Sequence, residues 1–382
     1  MLTTPTHPDP LRLGPLGVWP PVVLAPMAGV TNAPFRSLCR RFGGGLYVSE
    51  MIGARALIEG DDKTRLKAAF APDEDPRSIQ LYAIEAGEAA AATRLLVEEG
   101  EVDHLDLNFG CPSPKVTRHG GGAALPWQLE RFADIVDQTV RAAGAVPVTV
   151  KLRLGIDHEH LTYLEAGTCA ADLGVAGITL HARTAEQRYS PPVDLAAIAR
   201  LVEAVGVPVL GNGDVWEARD ALAMVARTGC AGVVVGRGCL GRPWLFRDLQ
   251  AAFEGREVPP APSLGEILDL LVEHAELLVD FFGPVVGLRE LRKHTGWYLQ
   301  GFPVGGARRR ALNQVSSLDE VHALLEDLDR SLPFDESVRR QPRGHTDRPA
   351  RVVLPHGWLA AGTRARICSS LPAEAAAAVS GG

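Results

Sequence analysis

The chain has 382 residues, of which 46% are hydrophobic and 22% charged, with a formal net charge of −7. That is ordinary soluble composition with material for one large domain and a smaller one. No apolar run reaches the roughly 18 residues of a membrane span, and the segment MLTTPTHPDPLRLGPLG has neither a basic n-region nor an apolar h-region, so a soluble cytoplasmic protein without a secretion signal is expected.

In chain order, residues 1–19 read as an N-terminal extension. Eight short apolar runs follow: VVLAPM (22–27), LYVSEM (46–51), SIQLYA (78–83), HLDLNF (104–109), VPVTVKLRL (146–154), GITLHAR (177–183), VPVLGNG (207–213) and GVVVGRG (232–238). Segments of helical period separate most of them, such as AGEAAAATRLLVEEG and WQLERFADIVDQTVRAAG. The runs read as apolar throughout, the pattern of strands buried on both faces. Strand–helix alternation of this kind predicts an α/β fold, a (β/α)8 TIM barrel over residues 20–257. A doubly wound open sheet is the rival, but it wants a GxGxxG turn after an early strand, and the first run ends in APMAGVT.

After EVPPAPSLG the strand signal stops. LGEILDLLVEHAELLVDFF, VVGLRELRKHTGWYLQ and SLDEVHALLEDLDRSL predict a small helical domain over 258–332. Between Val285 and Arg310 it carries Arg289, Arg292, Lys293, Arg308, Arg309 and Arg310 against one acid, Glu290. The net charge alone argues against a nucleic-acid partner, but the clustering of basic residues matters more than the sum. A solvated helix face with a basic loop explains the same residues. From Pro333 the chain is rich in Pro, Arg, Gly and Ala, and residues 333–382 read as a disordered tail without assigned function.

Active groups of such a barrel sit at the C-terminal strand ends. In order those ends offer Pro26, Met27 and Ala28; Gln80; Asn108 and Cys111; Lys151 and Arg153; His181 and Arg183; Asn212, Gly213 and Asp214; and Gly236 with Arg237. Polar groups there are costly to bury without partners, so an enclosed ligand is expected. GNGD after the seventh strand and GRG after the eighth put glycines where this fold commonly holds phosphate, implying a phosphorylated substrate or a cofactor such as FMN. Lys151 suits the negative charge of a reduced flavin, His181 a ring carbonyl or phosphate, and Gln80 an isoalloxazine edge. An ion pair for Lys151 and a structural hydrogen bond for His181 are the plainer alternatives. Six cysteines, at 39, 111, 169, 230, 239 and 368, form no CxxC pair, so neither zinc nor a disulfide framework is expected. Cys111 alone follows a strand on a turn, in LDLNFGCPSPKVTRHGGGAAL. With a thiol pKa near 8.5 it is mainly protonated at neutral pH and suited to protonate a carbon beside a hydride-delivering flavin.

APMAGVTNAPFR, LYVSEM, IQLY, LDLNFGCPSPKVTRHGGGAAL, VTVKLRLG, LHARTAEQRY, PVLGNGD, VVVGRG and RKHTGWYL together resemble the tRNA-dihydrouridine synthases, over about residues 20–325. The resemblance implies a monomeric, metal-free FMN enzyme, reduced by NADPH or NADH, that acts on tRNA. Pro26, Met27, Ala28, Gln80, Lys151, His181, Asn212, Gly213, Asp214, Gly236 and Arg237 would bind FMN. Hydride would pass to C6 of a uracil turned out of its stack, and Cys111 would protonate C5. Asn108, Arg153, Arg183, Arg289, Arg292 and Lys293 would contact substrate. The triple glycine of HGGGAAL departs from the family pattern, implying a more mobile Cys111 loop. Two other readings remain open: an FMN barrel acting on a free pyrimidine, against which the basic helical segment speaks, and an RNA binder without chemistry, against which Cys111, Lys151 and the two glycine turns speak.

Overall fold

A computed structural model describes residues 9–100, 102–344 and 348–360. The chain opens with an antiparallel hairpin, β1 (Leu11–Leu13) and β2 (Leu16–Val18). Eight strands follow: β3 (Val22–Leu24), β4 (Leu46–Gly53), β5 (Ser78–Tyr82), β6 (His104–Phe109), β7 (Val148–Arg153), β8 (Gly177–His181), β9 (Val209–Asn212) and β10 (Gly232–Val235). They pair in parallel in chain order, and β10 returns to β3 to close the barrel. The expected TIM barrel is the observed one.

The strands are not apolar throughout. Ile79, Leu81, Leu105, Leu107, Phe109, Val150, Leu152, Ile178 and Leu180 pack outward against the helices, with Leu96, Phe132, Ile135, Val136, Ile198 and Leu201. The alternate residues Ser78, Gln80, His104, Asp106, Thr149 and Thr179 are buried and polar. Since successive side chains of a strand point to opposite faces, these line the barrel interior. The register stacks them: Ser78 opposes His104, and Gln80 and Thr149 both oppose Asp106. They satisfy one another. Ser78 Oγ lies 2.8 Å from His104 Nδ1, and His104 Nε2 lies 3.1 Å from Thr149 Oγ1.

The hairpin is a separate two-stranded sheet that packs against the barrel. Leu11, Leu13 and Val18 join Val23, Leu46, Val48, Leu210 and Val234 in a separate apolar cluster. Leu13 reaches the first residue of β8: a Cβ on Gly177 would lie 2.8 Å from Leu13 Cδ2. The hairpin therefore closes the N-terminal end of the barrel, opposite the expected site. Burying each leucine contributes about 1.5–3 kcal/mol.

Helices Leu264–Phe282 and Pro284–Tyr298 form an antiparallel pair about Gly283, whose φ is 76°. Ser263 and Glu266 cap the first helix reciprocally, each side chain accepting from the other's backbone N–H. The pair is so close that a Cβ on Gly287 would lie 2.4 Å from Leu278 O. Their core, including Ile267, Leu271, Leu278, Leu291, Tyr298 and Leu325, takes in Leu38 and Trp244 from the barrel.

The expectation of a disordered tail from Pro333 is corrected for residues 333–344 and 348–360, while 345–347 and 361–382 lie outside the described residues. Phe334 is buried in the helical core, and Arg343, 1% exposed, donates to Trp297 O at 2.6 Å. The averaged Pro/Gly/Arg composition conceals widely spaced anchors of this kind.

Candidate active site at the barrel mouth

The turn after β6 is held from inside the barrel. Asp106 accepts from Thr149 Oγ1 at 2.6 Å and from Gln80 Nε2 at 2.7 Å. Gln80 Oε1 accepts from Asn108 Nδ2 at 2.7 Å, and Asn108 Oδ1 accepts from the N–H groups of Gly110 (3.2 Å) and Cys111 (3.0 Å). Burial pushes the Asp106 carboxyl up to about 6, against the pull of these donors and of Lys151. Cys111 is partly exposed, and burial of its surroundings raises the thiol above its ordinary value, so it stays protonated at neutral pH. Three glycines close the turn, each against a different neighbour. A Cβ on Gly120 would lie 2.3 Å from the Trp358 ring, on Gly121 2.4 Å from Tyr82 Oη, and on Gly122 2.5 Å from Cys111 O. The run that the sequence suggests is mobile is made of glycines by close packing.

The ends of β7, β8 and β9 gather cations. Lys151 Nζ donates to Asn212 Oδ1 at 3.0 Å, and Asn212 Nδ2 to Val234 O at 2.7 Å. Burial, then the Arg153 charge, pushes Lys151 down to about 8. His181 is held well below its usual range by burial and by Arg153, Lys151, Arg183 and Arg237 around it. Arg183 pairs with Asp214 at 2.7 Å and lies 3.3 Å from His181 Nε2. Lys151, Arg153, Arg183 and Arg237 thus gather around a neutral His181, with Asp214 paired to Arg183 and Asp106 near Lys151, a net positive mouth that suits an anion such as a phosphate. Gly213, at φ 118°, lies so close to Val193 that a Cβ would come within 2.4 Å of its Cγ1. Asp214 follows with φ 55°. Gly236 opens the turn after β10, and Arg237 lies over the rings of Tyr189 (4.4 Å) and Trp216 (5.2 Å). Pro26, Met27 and Ala28 complete the rim after β3, where Met27 N–H donates to Thr31 Oγ1 at 3.0 Å.

The residues expected to meet substrate divide. Arg153 and Arg183 are 4% and 3% exposed. Arg153 donates to the carbonyls of Gly110, Thr184 and Arg188, each at 2.9 Å. Both guanidiniums brace loops of the mouth, Arg183 through Pro191 O and Asp214. Arg292 similarly donates to Val315 O at 2.9 Å. Arg289 is exposed. Lys293 pairs with Glu290 and approaches the rim: a Cβ on Gly29 would lie 3.5 Å from Lys293 Nζ. The sequence reading missed Asp106, His104 and Thr149, although His-x-Asp-x-Asn in HLDLNF already alternates. It also left Tyr189 without a place.

The family model for dihydrouridine synthase (Dus) matches residues 23–332. A probable tRNA-dihydrouridine synthase of Mycobacterium tuberculosis is 53% identical over 364 residues, covering 92% of this chain and 93% of the relative. A tRNA-dihydrouridine synthase B of Xanthomonas axonopodis pv. citri is 38% identical, covering 88% and 99%. Among solved structures, the 6-hydroxypseudooxynicotine amine oxidase HisD of Pseudomonas geniculata shares the fold at 10% identity and a TM-score of 0.50, over 69% of this chain and 52% of that one. The barrel, the turn after β6 and these relatives together place the chain in the dihydrouridine synthase family.

Proposed function

We propose that the chain reduces uridine in tRNA to 5,6-dihydrouridine with FMN at the barrel mouth. The observation that carries this reading is the basic cluster of Lys151, Arg153, His181, Arg183 and Arg237 beside a protonated, partly exposed Cys111. The residues fit the cofactor: Gly213, Gly236 and Arg237 would receive its phosphate, Lys151 and His181 its polar ring edge, and Pro26, Met27 and Ala28 its apolar flank. When bound and reduced by NADPH, FMN supplies the hydride that C6 of the uracil accepts. Cys111 then transfers its proton to C5, and the thiolate left behind recovers a proton from solvent. Asn108 and Gln80 hold the turn that carries the thiol. Lys293, near the rim at Gly29, and the exposed Arg289 would meet an incoming tRNA loop, and the target base must leave its stack to reach the site.

The test is direct. The purified protein should be yellow and release FMN on denaturation. Nucleoside mass analysis of unmodified tRNA incubated with the protein and NADPH should show new dihydrouridine, and Cys111→Ala should retain FMN while losing nearly all turnover. A colourless protein, or a fully active Cys111→Ala variant, contradicts the cofactor or the proton donor respectively.

A further inference from the structure

The chain beyond residue 332 lies outside the stretch matched by the family model, yet it borders the barrel mouth. Arg339 O accepts from Arg242 at 2.9 Å, and Arg343 donates to Leu240 O at 3.3 Å, both in the segment after β10. Ala350 N–H donates to Glu186 O, after β8, at 3.0 Å. Trp358 then reaches the segment after β6. Its Nε1 donates to Ala124 O at 3.0 Å, and its carbonyl accepts from Gln128 Nε2 at 3.1 Å. Trp127 Nε1 donates to the next carbonyl, Leu359 O, at 3.4 Å.

The Trp358 ring is fitted to Gly120. A Cβ there would lie 2.3 Å from its Cη2, so no larger residue shares this contact without displacing the indole. Two residues on, Gly122 lies against Cys111 from the other side. A Cβ on Gly122 would come within 2.5 Å of Cys111 O and 3.1 Å of Cys111 Cβ, and Ala123 N–H donates to Cys111 O at 3.1 Å. The glycine run is therefore clamped between Trp358 on one side and the backbone of Cys111 on the other.

We propose that Trp358 is a positioning residue for Cys111: the segment 348–360 holds the Gly120–Gly122 run against the turn after β6 and thereby fixes the thiol. Trp358 does not touch the reacting atoms and acts through the loop. The proposal rests on the reading of Cys111 as proton donor for its effect on turnover, but its structural half is measurable without catalysis. Misplacing a reacting group by about 1 Å lowers rate by about 100-fold, so a loosened loop has a large kinetic effect.

The experiment compares wild-type, Trp358→Ala and Trp358→Phe full-length proteins. One readout is the rate of Cys111 alkylation by iodoacetamide, followed by peptide mass without tRNA. The other is single-turnover reduction of unmodified tRNA by the flavin-reduced protein. Trp358→Ala is expected to keep its FMN content and its rate of flavin reduction by NADPH. Its Cys111 should be alkylated several-fold faster and its tRNA reduction slowed by about 10-fold or more. Trp358→Phe, which keeps a ring against Gly120, should recover most of both. If Trp358→Ala fails to fold, Trp358→Phe and Trp358→Leu decide by the same two readouts. Wild-type alkylation and wild-type turnover together overturn the proposal. Faster alkylation with unchanged turnover removes the catalytic role of the clamp. Full activity of Cys111→Ala refutes the proton-donor reading separately, and the alkylation rates still decide whether Trp358 holds the loop.

Discussion

Asn108 Oδ1 accepts the Cys111 N–H at 3.0 Å while Asn108 Nδ2 donates to Gln80 Oε1 at 2.7 Å, so a single amide couples the barrel interior to the turn that carries the thiol. Asn108→Ala removes the acceptor of two turn amides, Gly110 and Cys111, and one partner of Gln80. Each group left unpaired in a buried setting costs about 1–3 kcal/mol. We expect turnover on tRNA to fall by about 10- to 100-fold, with reduction of the flavin by NADPH unchanged. Stopped-flow measurement of the two half-reactions separates these effects; equal losses in both would mean that Asn108 serves the cofactor instead.

Lys151 gives a pH dependence to cofactor binding. In the cofactor-free protein, burial and Arg153 push it down to about 8. Below pH 8 it carries the charge that an anionic ligand needs, and above that it loses it. FMN affinity should therefore be level up to about pH 8 and then weaken, by up to about tenfold per pH unit. Lys151→Met should bind more weakly at pH 7 and show no such break between pH 7 and 9. Titration by quenching of flavin fluorescence reads both curves, and a wild-type affinity that stays level to pH 9 would exclude Lys151 as the responding group.

Four buried histidines make the fold acid-sensitive, among them His181, held well below its usual range by burial and the cations around it. His104 and His274 are pushed down to about 3 by burial, and His294 is held well below its usual range by burial and the nearby His274 and Lys293. Each is neutral in the native state, whereas the unfolded chain binds a proton near pH 6.5. Their contribution is complete above that value and is lost as pH falls. Asp106 acts in the opposite sense: its carboxyl, pushed up to about 6, takes a proton in the native state before the unfolded chain does. Uptake by the four histidines outweighs the release from Asp106, so unfolding takes up net protons and stability falls as pH drops from about 6 to 4. Denaturant melts across that range measure the slope. Among the described residues His294 has no hydrogen-bond partner on either ring nitrogen, and it lies among Phe35, His274 and Trp297. His294→Phe should therefore remove about one proton from the slope and raise stability at pH 5.

The barrel was readable because outward-facing Val, Leu and Ile recur at every strand, and eight such runs separated by helical period admit few topologies. The same emphasis on apolar content obscured the inward face: in HLDLNF the alternate His104, Asp106 and Asn108 already mark one side of a strand. The hairpin was also local, in Leu-Arg-Leu and Leu-Gly-Val about Gly14 and Pro15. Arg153 shows what is not local. Its place at the end of β7 was correct, but its three carbonyl partners come from Gly110, Thr184 and Arg188, on loops distant in sequence. Whether a guanidinium faces solvent or braces a loop depends on that long-range folding. Trp358 is legible only as an aromatic in a polar segment, since its partner Gly120 lies more than two hundred residues earlier.

Gly122 is the most demanding position of the glycine run. Its φ is 54°, in the left-handed region, and an added Cβ would meet Cys111 O at 2.5 Å and Val116 Cγ1 at 2.8 Å. Backbone oxygen cannot rotate away as a flexible side chain does, so Gly122→Ala must shift the turn itself. The left-handed conformation adds about 1–2 kcal/mol for a residue with a Cβ. Gly87 provides the control: it lies in helix Ala86–Glu98 with nothing within 4 Å of an added Cβ, and Gly87→Ala should stabilise the protein by up to about 1 kcal/mol without altering turnover. Gly122→Ala should instead lower both the melting temperature and the rate of uridine reduction, and speed alkylation of Cys111 through displacement of the same backbone. A Gly122→Ala protein with wild-type thiol reactivity and turnover would mean that the turn absorbs the methyl without moving the sulfur, and the close approach of Gly122 to Cys111 would then have no part in placing it.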